Sequence, residues 1–235
     1  MSTVYLIHGL MGTAEYHFGQ QIRAWENDHD VVPLNLPGHG TASDRAQDPF
    51  FQPALSWVLG QIKERGKGHI VGLSLGASIA IHLALTHPEL CKSIVLTGYV
   101  PAVPINMAGI MEQQYETFLH IEENNPEVAK EFMGLHGDKW YQTLCAVLKD
   151  MTFNYPGVSV EQLQGLSVPA LVLNGAVQRH ERDAACEMAT LNDRIQVGLV
   201  PGAGHTANMQ QADIYNLMVE AFWARLQHKD SDHRC

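Results

Sequence analysis

The sequence predicts an α/β fold in which a doubly wound, mostly parallel sheet carries helices on both faces. Short apolar runs alternate along the chain with longer segments of helical periodicity. The runs are apolar on both faces, as expected of parallel strands covered by helices on each side. Such a βαβα series implies right-handed crossovers. The 235 residues suffice for one large domain, or for a domain with an inserted part.

Six strands and five helices of this core are predicted from apolar runs bounded by turn residues. The strands are residues 3–8, 30–35, 69–73, 93–98, 169–174 and 195–200, and the helices are 14–27, 53–65, 75–87, 181–191 and 209–227. The first strand is expected near one edge of the sheet, where a homodimer partner is one way to cover it. The oligomeric state itself is left open. The polar segment 227–235 is expected to fray.

One long interval interrupts the alternation of strands and helices. Residues 101–168 contain no clear strand and carry methionine and aromatic side chains at helical spacing. We expect a helical cap, or lid, inserted into a core made of residues 1–100 and 169–235. Additional helices of the core are the other interpretation of this interval.

The most informative motif is GLSLG at residues 72–76, between a predicted strand and a predicted helix. A serine on such a sharp turn is held clear of the backbone, and the flanking glycines let neighbouring chain approach closely. Ser74 is therefore the candidate nucleophile. A neutral hydroxyl needs a nearby base. His205 is the best candidate, because it follows the last strand on a loop that contains two glycines.

Five segments together resemble the α/β-hydrolase family, and the resemblance covers nearly the whole chain. They are HGLMG at 8–12, LPGHG at 36–40, GLSLG at 72–76, PALVLNG at 169–175 and PGAGH at 201–205. The resemblance implies an oxyanion hole formed by the backbone amides of Leu10 and Leu75, with His8 and His39 shaping loops. The family's antiparallel hairpin ahead of the first strand is expected to be missing, because strand 3–8 begins almost at the N-terminus.

The acid of the expected catalytic triad departs from the family pattern. Relatives usually carry an aspartate at the position that holds Gln178 here. A glutamine can orient an imidazole but supplies no negative charge, which can cost about 10⁴ in turnover. Glu181 or Asp183 could instead supply the acid, although both also suit the first turn of a helix by charge. Alternatively, Gln178 orients a Ser74–His205 dyad, or the site has lost hydrolytic activity.

The predicted function is hydrolysis of an ester, thioester or lactone of a small-to-medium apolar acyl substrate. Methionines in the inserted segment suit flexible acyl chains, and ordinary filling of an apolar core is the other interpretation of them. A lyase that uses Ser74 and His205 for proton transfer, or a ligand-binding protein with a degenerate triad, are the alternatives. A net charge of −10 disfavours nucleic acid and anionic membranes as partners. No HExxH or CxxC pattern indicates a metal, no cofactor is expected, and no apolar leader is found, so a cytoplasmic location is expected.

Overall fold

A computed structural model describes residues 1–232, and for 228–232 it describes the backbone alone. Six strands form one sheet: β1 (Ser2–Ile7), β2 (His29–Leu34), β3 (Gly68–Leu73), β4 (Cys91–Thr97), β5 (Ala170–Gly175) and β6 (Ile195–Val200). Their order is β2-β1-β3-β4-β5-β6, and every neighbouring pair is parallel. The predicted α/β class and parallel sheet are confirmed. The edges are β2 and β6, so β1 is the second strand from an edge.

Eleven α-helices accompany this sheet within the described residues. They are α1 (Ala14–Trp25), α2 (Phe51–Arg65), α3 (Leu75–Thr86), α4 (Ala108–Leu119), α5 (Ile121–Asn124), α6 (Pro126–His136), α7 (Trp140–Phe153), α8 (Val160–Gln164), α9 (Arg179–Leu191), α10 (Ala207–Gln210) and α11 (Ala212–Asp232). The predicted helix 209–227 is interrupted at Gln211 and continues to Asp232. Of the segment expected to fray, residues 227–232 belong to α11, and residues 233–235 lie outside the described residues.

The sheet separates two apolar layers because successive side chains of a strand point to opposite faces. On β1, Tyr5 and Ile7 join the layer under α2, α3 and α9, whereas Val4 and Leu6 join the layer under α1 and α11. Burial of these layers from water is the main force that holds helices to sheet. In residues 1–232, no helix combines the length and apolarity needed to cross a membrane.

The helices α4–α8 fill the interval between β4 and β5. Helices α4–α7 contribute to an apolar cluster around Trp140 and Leu144, which also includes Met11 from the loop after β1, whereas Leu163 of α8 packs in the layer under α2, α3 and α9. These helices therefore pack against the loops at the carboxyl ends of the strands, where parallel sheets place their functional groups. The division into a core of 1–100 and 169–235 and a cap of 101–168 stays a prediction.

Candidate active site

Ser74 occupies the single residue between the end of β3 and the start of α3. Its φ of 55° and ψ of −111° are rarely adopted by non-glycine residues, and such a conformation costs on the order of 1–3 kcal/mol. Two backbone hydrogen bonds hold it: the Ser74 N–H donates to the Thr97 carbonyl at 2.8 Å, and the Ser74 carbonyl accepts from Ser78 N–H at 3.0 Å. The turn thus presents the hydroxyl at the carboxyl edge of the sheet.

The glycines on either side of Ser74 are required by close backbone contacts. A Cβ at Gly72 would collide with the backbone of Gly76, and a Cβ at Gly76 would collide with the carbonyl of Ile7 at the end of β1. These contacts bring the first turn of α3 against two strands. They explain why the motif has glycine at both positions.

His205 follows β6 and makes a short hydrogen bond to a buried carboxylate. Its Nδ1 lies 2.5 Å from Oε1 of Glu181, a residue that is only 3% exposed. The other carboxylate oxygen, Oε2, is buried without a partner among the described residues. A carboxylate at Nδ1 fixes the tautomer of the imidazole, which leaves Nε2 available to accept a proton.

Glu181 reaches His205 from the first turn of α9, whereas Gln178 and Asp183 do not. Gln178 precedes the helix, lines the cavity beside Ser74, and makes no capping hydrogen bond with its side chain. Asp183 is exposed and pairs with Arg179 at 3.4 Å. Of the three candidate orienting groups, the described structure brings only Glu181 to the imidazole.

Asn174 is a residue of the site that the sequence analysis missed. It is fully buried near the end of β5. Its Nδ2 donates to the carbonyls of Tyr99 at 3.0 Å and Glu181 at 2.9 Å, and its Oδ1 accepts from the Tyr99 N–H at 3.2 Å. The side chain therefore fastens the first turn of α9 to the sheet. The available signal was an amide within a run that is otherwise apolar.

Leu10 and Leu75, the predicted oxyanion donors, line the same cavity as Ser74. Leu75 begins α3, where a backbone N–H has no intrahelical acceptor and where the helix dipole favours negative charge. Leu10 lies in the loop after β1, next to Met11, whose φ of 47° is in the left-handed region. The loop is thus bent sharply at the residue after Leu10.

The loop-shaping roles predicted for His8 and His39 agree with their contacts. His8 Nε2 accepts from the Leu36 N–H at 3.0 Å, so Nδ1 carries the proton and donates to the Gly9 carbonyl at 2.8 Å. His39 Nδ1 donates to the Pro37 carbonyl at 3.1 Å. Burial lowers the pKa of His8 well below its ordinary value and that of His39 to about 3. Both rings therefore stay neutral near pH 7.

A cavity of about 420 Å³ lies over Ser74 and is lined on its far side by the inserted helices. Its wall is mainly apolar, from Val100, Val103, Met107, Met111, Phe118 and Met151. Polar side chains interrupt this wall at Gln114, Thr152, Tyr155, Gln178 and His180, and no lysine or arginine is among the described residues that line it. Within residues 1–232, no group of three or more His, Cys, Asp or Glu side chains is arranged to hold a metal ion.

Comparison with known proteins places this geometry in a family. A model of the alpha/beta hydrolase family matches residues 4–216. The crystal structure of NosK from Streptomyces actuosus is similar with a TM-score of 0.89 and 36% identity, over 96% of this chain and 99% of that one.

Two curated relatives match over a shorter stretch. An (E)-2-((N-methylformamido)methylene)succinate hydrolase of Acinetobacter baylyi is 32% identical over 96 residues, and a pimeloyl-(acyl-carrier protein) methyl ester esterase of Neisseria meningitidis is 36% identical over 100 residues. Each alignment spans 40% of this chain and 36% of the relative. The family model and the match to NosK extend over most of the sequence, and the chain belongs to the alpha/beta hydrolase family.

Proposed function

We propose that the protein is a serine hydrolase that cleaves an ester, thioester or lactone of an uncharged, small-to-medium apolar acyl group. One observation carries this proposal: the strained Ser74 shares a cavity with His205, whose Nδ1 is held at 2.5 Å by the buried Glu181. Nucleophile, base and orienting acid are the three groups that acyl transfer needs. Names of the matched relatives that contain hydrolase and esterase support the same reaction class.

In the first half of the proposed reaction, Ser74 Oγ attacks the carbonyl carbon of the substrate. The hydroxyl proton passes to Nε2 of His205, and the Glu181 carboxylate stabilises the resulting imidazolium. Negative charge develops on the carbonyl oxygen, where the amides of Leu10 and Leu75 would donate. Each such donor is worth roughly 3–4 kcal/mol in comparable sites.

In the second half, the tetrahedral intermediate collapses to an acyl-enzyme. The bond to the leaving oxygen or sulfur breaks, and the leaving group takes the proton from His205. A water molecule then attacks the acyl carbonyl, giving a proton to Nε2, and Ser74 departs with that proton restored. The products are a free acid and an alcohol or thiol, or a single hydroxy acid when the substrate is a lactone, and the enzyme is unchanged.

The chemistry of the cavity supports an uncharged acyl group. A volume of about 420 Å³ corresponds to about 14 water-sized groups at ~30 Å³ each, which suits a small or medium substrate. A carboxylate or phosphate buried against its methionines would have no lysine or arginine to pair with, and burying an unpaired charge is costly. The succinate in the name of one relative carries such charges, so we do not extend that substrate to this chain.

Covalent labelling tests whether Ser74 is a nucleophile. A fluorophosphonate probe should modify the folded protein on Ser74, because an activated serine attacks the phosphorus centre and becomes trapped. Mass spectrometry of the digested protein locates the adduct, and Ser74→Ala is the control that should remain unlabelled. Absence of an adduct on Ser74 in folded protein contradicts the hydrolase proposal. Conversion of a substrate without incorporation of labelled water would favour the lyase alternative instead.

Selectivity for uncharged acyl groups is tested with a matched pair of chromogenic esters. The p-nitrophenyl ester of hexanoic acid should be cleaved with a kcat/KM about 100-fold above that of the p-nitrophenyl monoester of adipic acid. The two acyl chains have the same length, and the expected ratio corresponds to a penalty of about 3 kcal/mol for an unpaired buried carboxylate. Equal kcat/KM values for the two esters would contradict this part of the proposal.

A further inference from the structure

We propose that His136 and His17 are positioning residues that hold the Leu10 amide in place from the two sides of the oxyanion loop. His136 comes from the inserted helix α6, and His17 comes from α1. The inference rests on the proposed function, because it assigns the Leu10 amide to the oxyanion hole. It adds that the inserted helices contribute to catalysis and not only to the cavity wall.

Both neighbours of Leu10 in the chain are hydrogen-bonded to imidazole rings. The Gly9 N–H donates to Nδ1 of His17 at 3.1 Å, and Nε2 of His136 donates to the Met11 carbonyl at 3.1 Å. The Leu10 N–H lies between these two fixed peptide groups. The Leu10 N–H itself belongs to the peptide group of the Gly9 carbonyl, which accepts from His8 Nδ1 at 2.8 Å and from the Gly12 N–H at 3.3 Å. The bonds of His17 and His136 hold the chain on either side of that peptide group and so position it within the loop.

The partners of His136 define its protonation state. Its Nδ1 accepts from the Gly40 N–H at 2.9 Å, so the ring proton belongs on Nε2, where the Met11 carbonyl needs a donor. The ring is 2% exposed, and burial lowers its pKa, which keeps it neutral. One buried imidazole thus joins the loop after β1 to the loop after β2, from a helix more than 90 residues further along the chain.

His17 is held in the same loop by close packing. A Cβ at Gly12 would collide with the His17 ring, so the loop folds directly over the imidazole. Burial, and then the electrostatic effect of the nearby His205, lower the pKa of His17 to about 4. His17 therefore remains neutral and keeps its acceptor nitrogen free for Gly9.

The bend at Met11 explains why these bonds affect catalysis. Met11 holds a φ of 47°, which a non-glycine residue keeps only when its surroundings enforce it. We expect that loss of the bond from His136 lets the strained bend at Met11 relax, which would shift the Leu10 N–H from its position in the loop. A misplacement of about 1 Å in a catalytic group can cost on the order of 100-fold in rate.

Two conservative variants of His136 separate its two hydrogen bonds. In His136→Gln the side-chain amide reaches about as far as Nε2, so it can still donate to the Met11 carbonyl. In His136→Asn the side-chain oxygen reaches only about as far as Nδ1, so it can still accept from Gly40 but loses Met11. We expect kcat for hexanoate ester hydrolysis to fall at most about fivefold in the first variant and about 50-fold in the second, with KM within threefold of the parent.

A matched pair at His17 and a transition-state analogue complete the test. His17→Asn keeps an acceptor for the Gly9 N–H and should retain most of kcat, whereas His17→Leu should lose about 30-fold. Affinity for an alkyl boronic acid, which binds serine as a tetrahedral anion, should fall in parallel with kcat, while affinity for hexan-1-ol, which has no carbonyl oxygen to place at the oxyanion donors, should not change.

Equal kcat in His136→Gln and His136→Asn overturns the role of His136, and equal kcat in His17→Asn and His17→Leu overturns that of His17. A parent protein that is not labelled on Ser74 overturns the proposed function itself, so the two failures are distinguishable. Each substituted protein is compared by its thermal unfolding, so that loss of fold is not counted as loss of kcat.

Discussion

Replacing Glu181 by glutamine is expected to lower kcat about 10⁴-fold while KM changes little. The substitution keeps the size of the side chain and an acceptor for Nδ1, but removes the charge that stabilises the imidazolium formed when Ser74 loses its proton. Oε2 of Glu181 is buried without a partner among the described residues. An amide nitrogen at that position would have no acceptor, so we expect the amide of the variant to turn its nitrogen towards His205 and displace the imidazole. Steady-state hydrolysis of the hexanoate ester measures the effect.

Gln178 provides the matched control for this substitution. Gln178→Ala changes the residue at the family's usual acid position, yet it should keep kcat within about threefold, because Glu181 and not Gln178 contacts His205. Turnover of Glu181→Gln within threefold of the parent would contradict the assignment of the acid. A loss in Gln178→Ala as large as that in Glu181→Gln would favour the dyad oriented by Gln178.

The free energy of unfolding is expected to fall by about 5 kcal/mol between pH 6.5 and pH 5. Burial lowers the pKa of His39 and His69 to about 3 and that of His17 to about 4, whereas unfolded histidine titrates near 6.5. Below pH 6.5 the unfolded chain therefore binds more protons than the folded one, and stability is lost as the pH falls. The contribution of each of the three rings rises from about 0.7 kcal/mol per pH unit at pH 6.5 to about 1.4 kcal/mol per unit near pH 5.

Urea unfolding at a series of pH values measures this loss, and His69→Asn is the control. His69 lies near the start of β3, at the end of that strand opposite Ser74, and its Nδ1 is 2.7 Å from the Ser93 hydroxyl. An asparagine can keep that hydrogen bond, so kcat at pH 7.5 should not change. The dependence of unfolding free energy on pH should become less steep by about 1.4 kcal/mol per unit near pH 5. If the slope of unfolding free energy against pH is unchanged in His69→Asn, burial of the neutral His69 ring is not a cause of the pH dependence.

The fold could be predicted from the sequence because each signal for a strand, a helix or the turn at Ser74 lies within a short stretch of the chain. Each parallel strand is an apolar run, each covering helix has its own periodicity, and the turn around Ser74 requires glycines at fixed positions. Strand ends were predicted to within two residues of those observed. Helix 209–227 was predicted less well, because its interruption at Gln211 depends on how the His205 loop joins the helix and not on composition.

The supporting contacts of the site could not be predicted, because they join residues far apart in sequence. Carboxylates are common in the first turn of any helix. Only burial and the contact with His205 distinguish Glu181 from Asp183, and neither can be read from the sequence. The ring of His136 contacts Met11 from a segment whose sequence indicates no more than amphipathic helices. Fixed spacing after β5 pointed to Gln178, but the group that reaches the imidazole is the carboxylate of Glu181, three residues later in the first turn of α9.

The double attachment of His136 sets a condition for building chimeras in this family. Exchanging residues 101–168 for the equivalent segment of a relative would be the obvious way to transfer specificity, because these helices line the cavity. Such an exchange would also remove the His136 ring, which is hydrogen-bonded to Met11 and Gly40. A graft should therefore carry a histidine at this one position, and a library made without it would mix changes of specificity with loss of turnover.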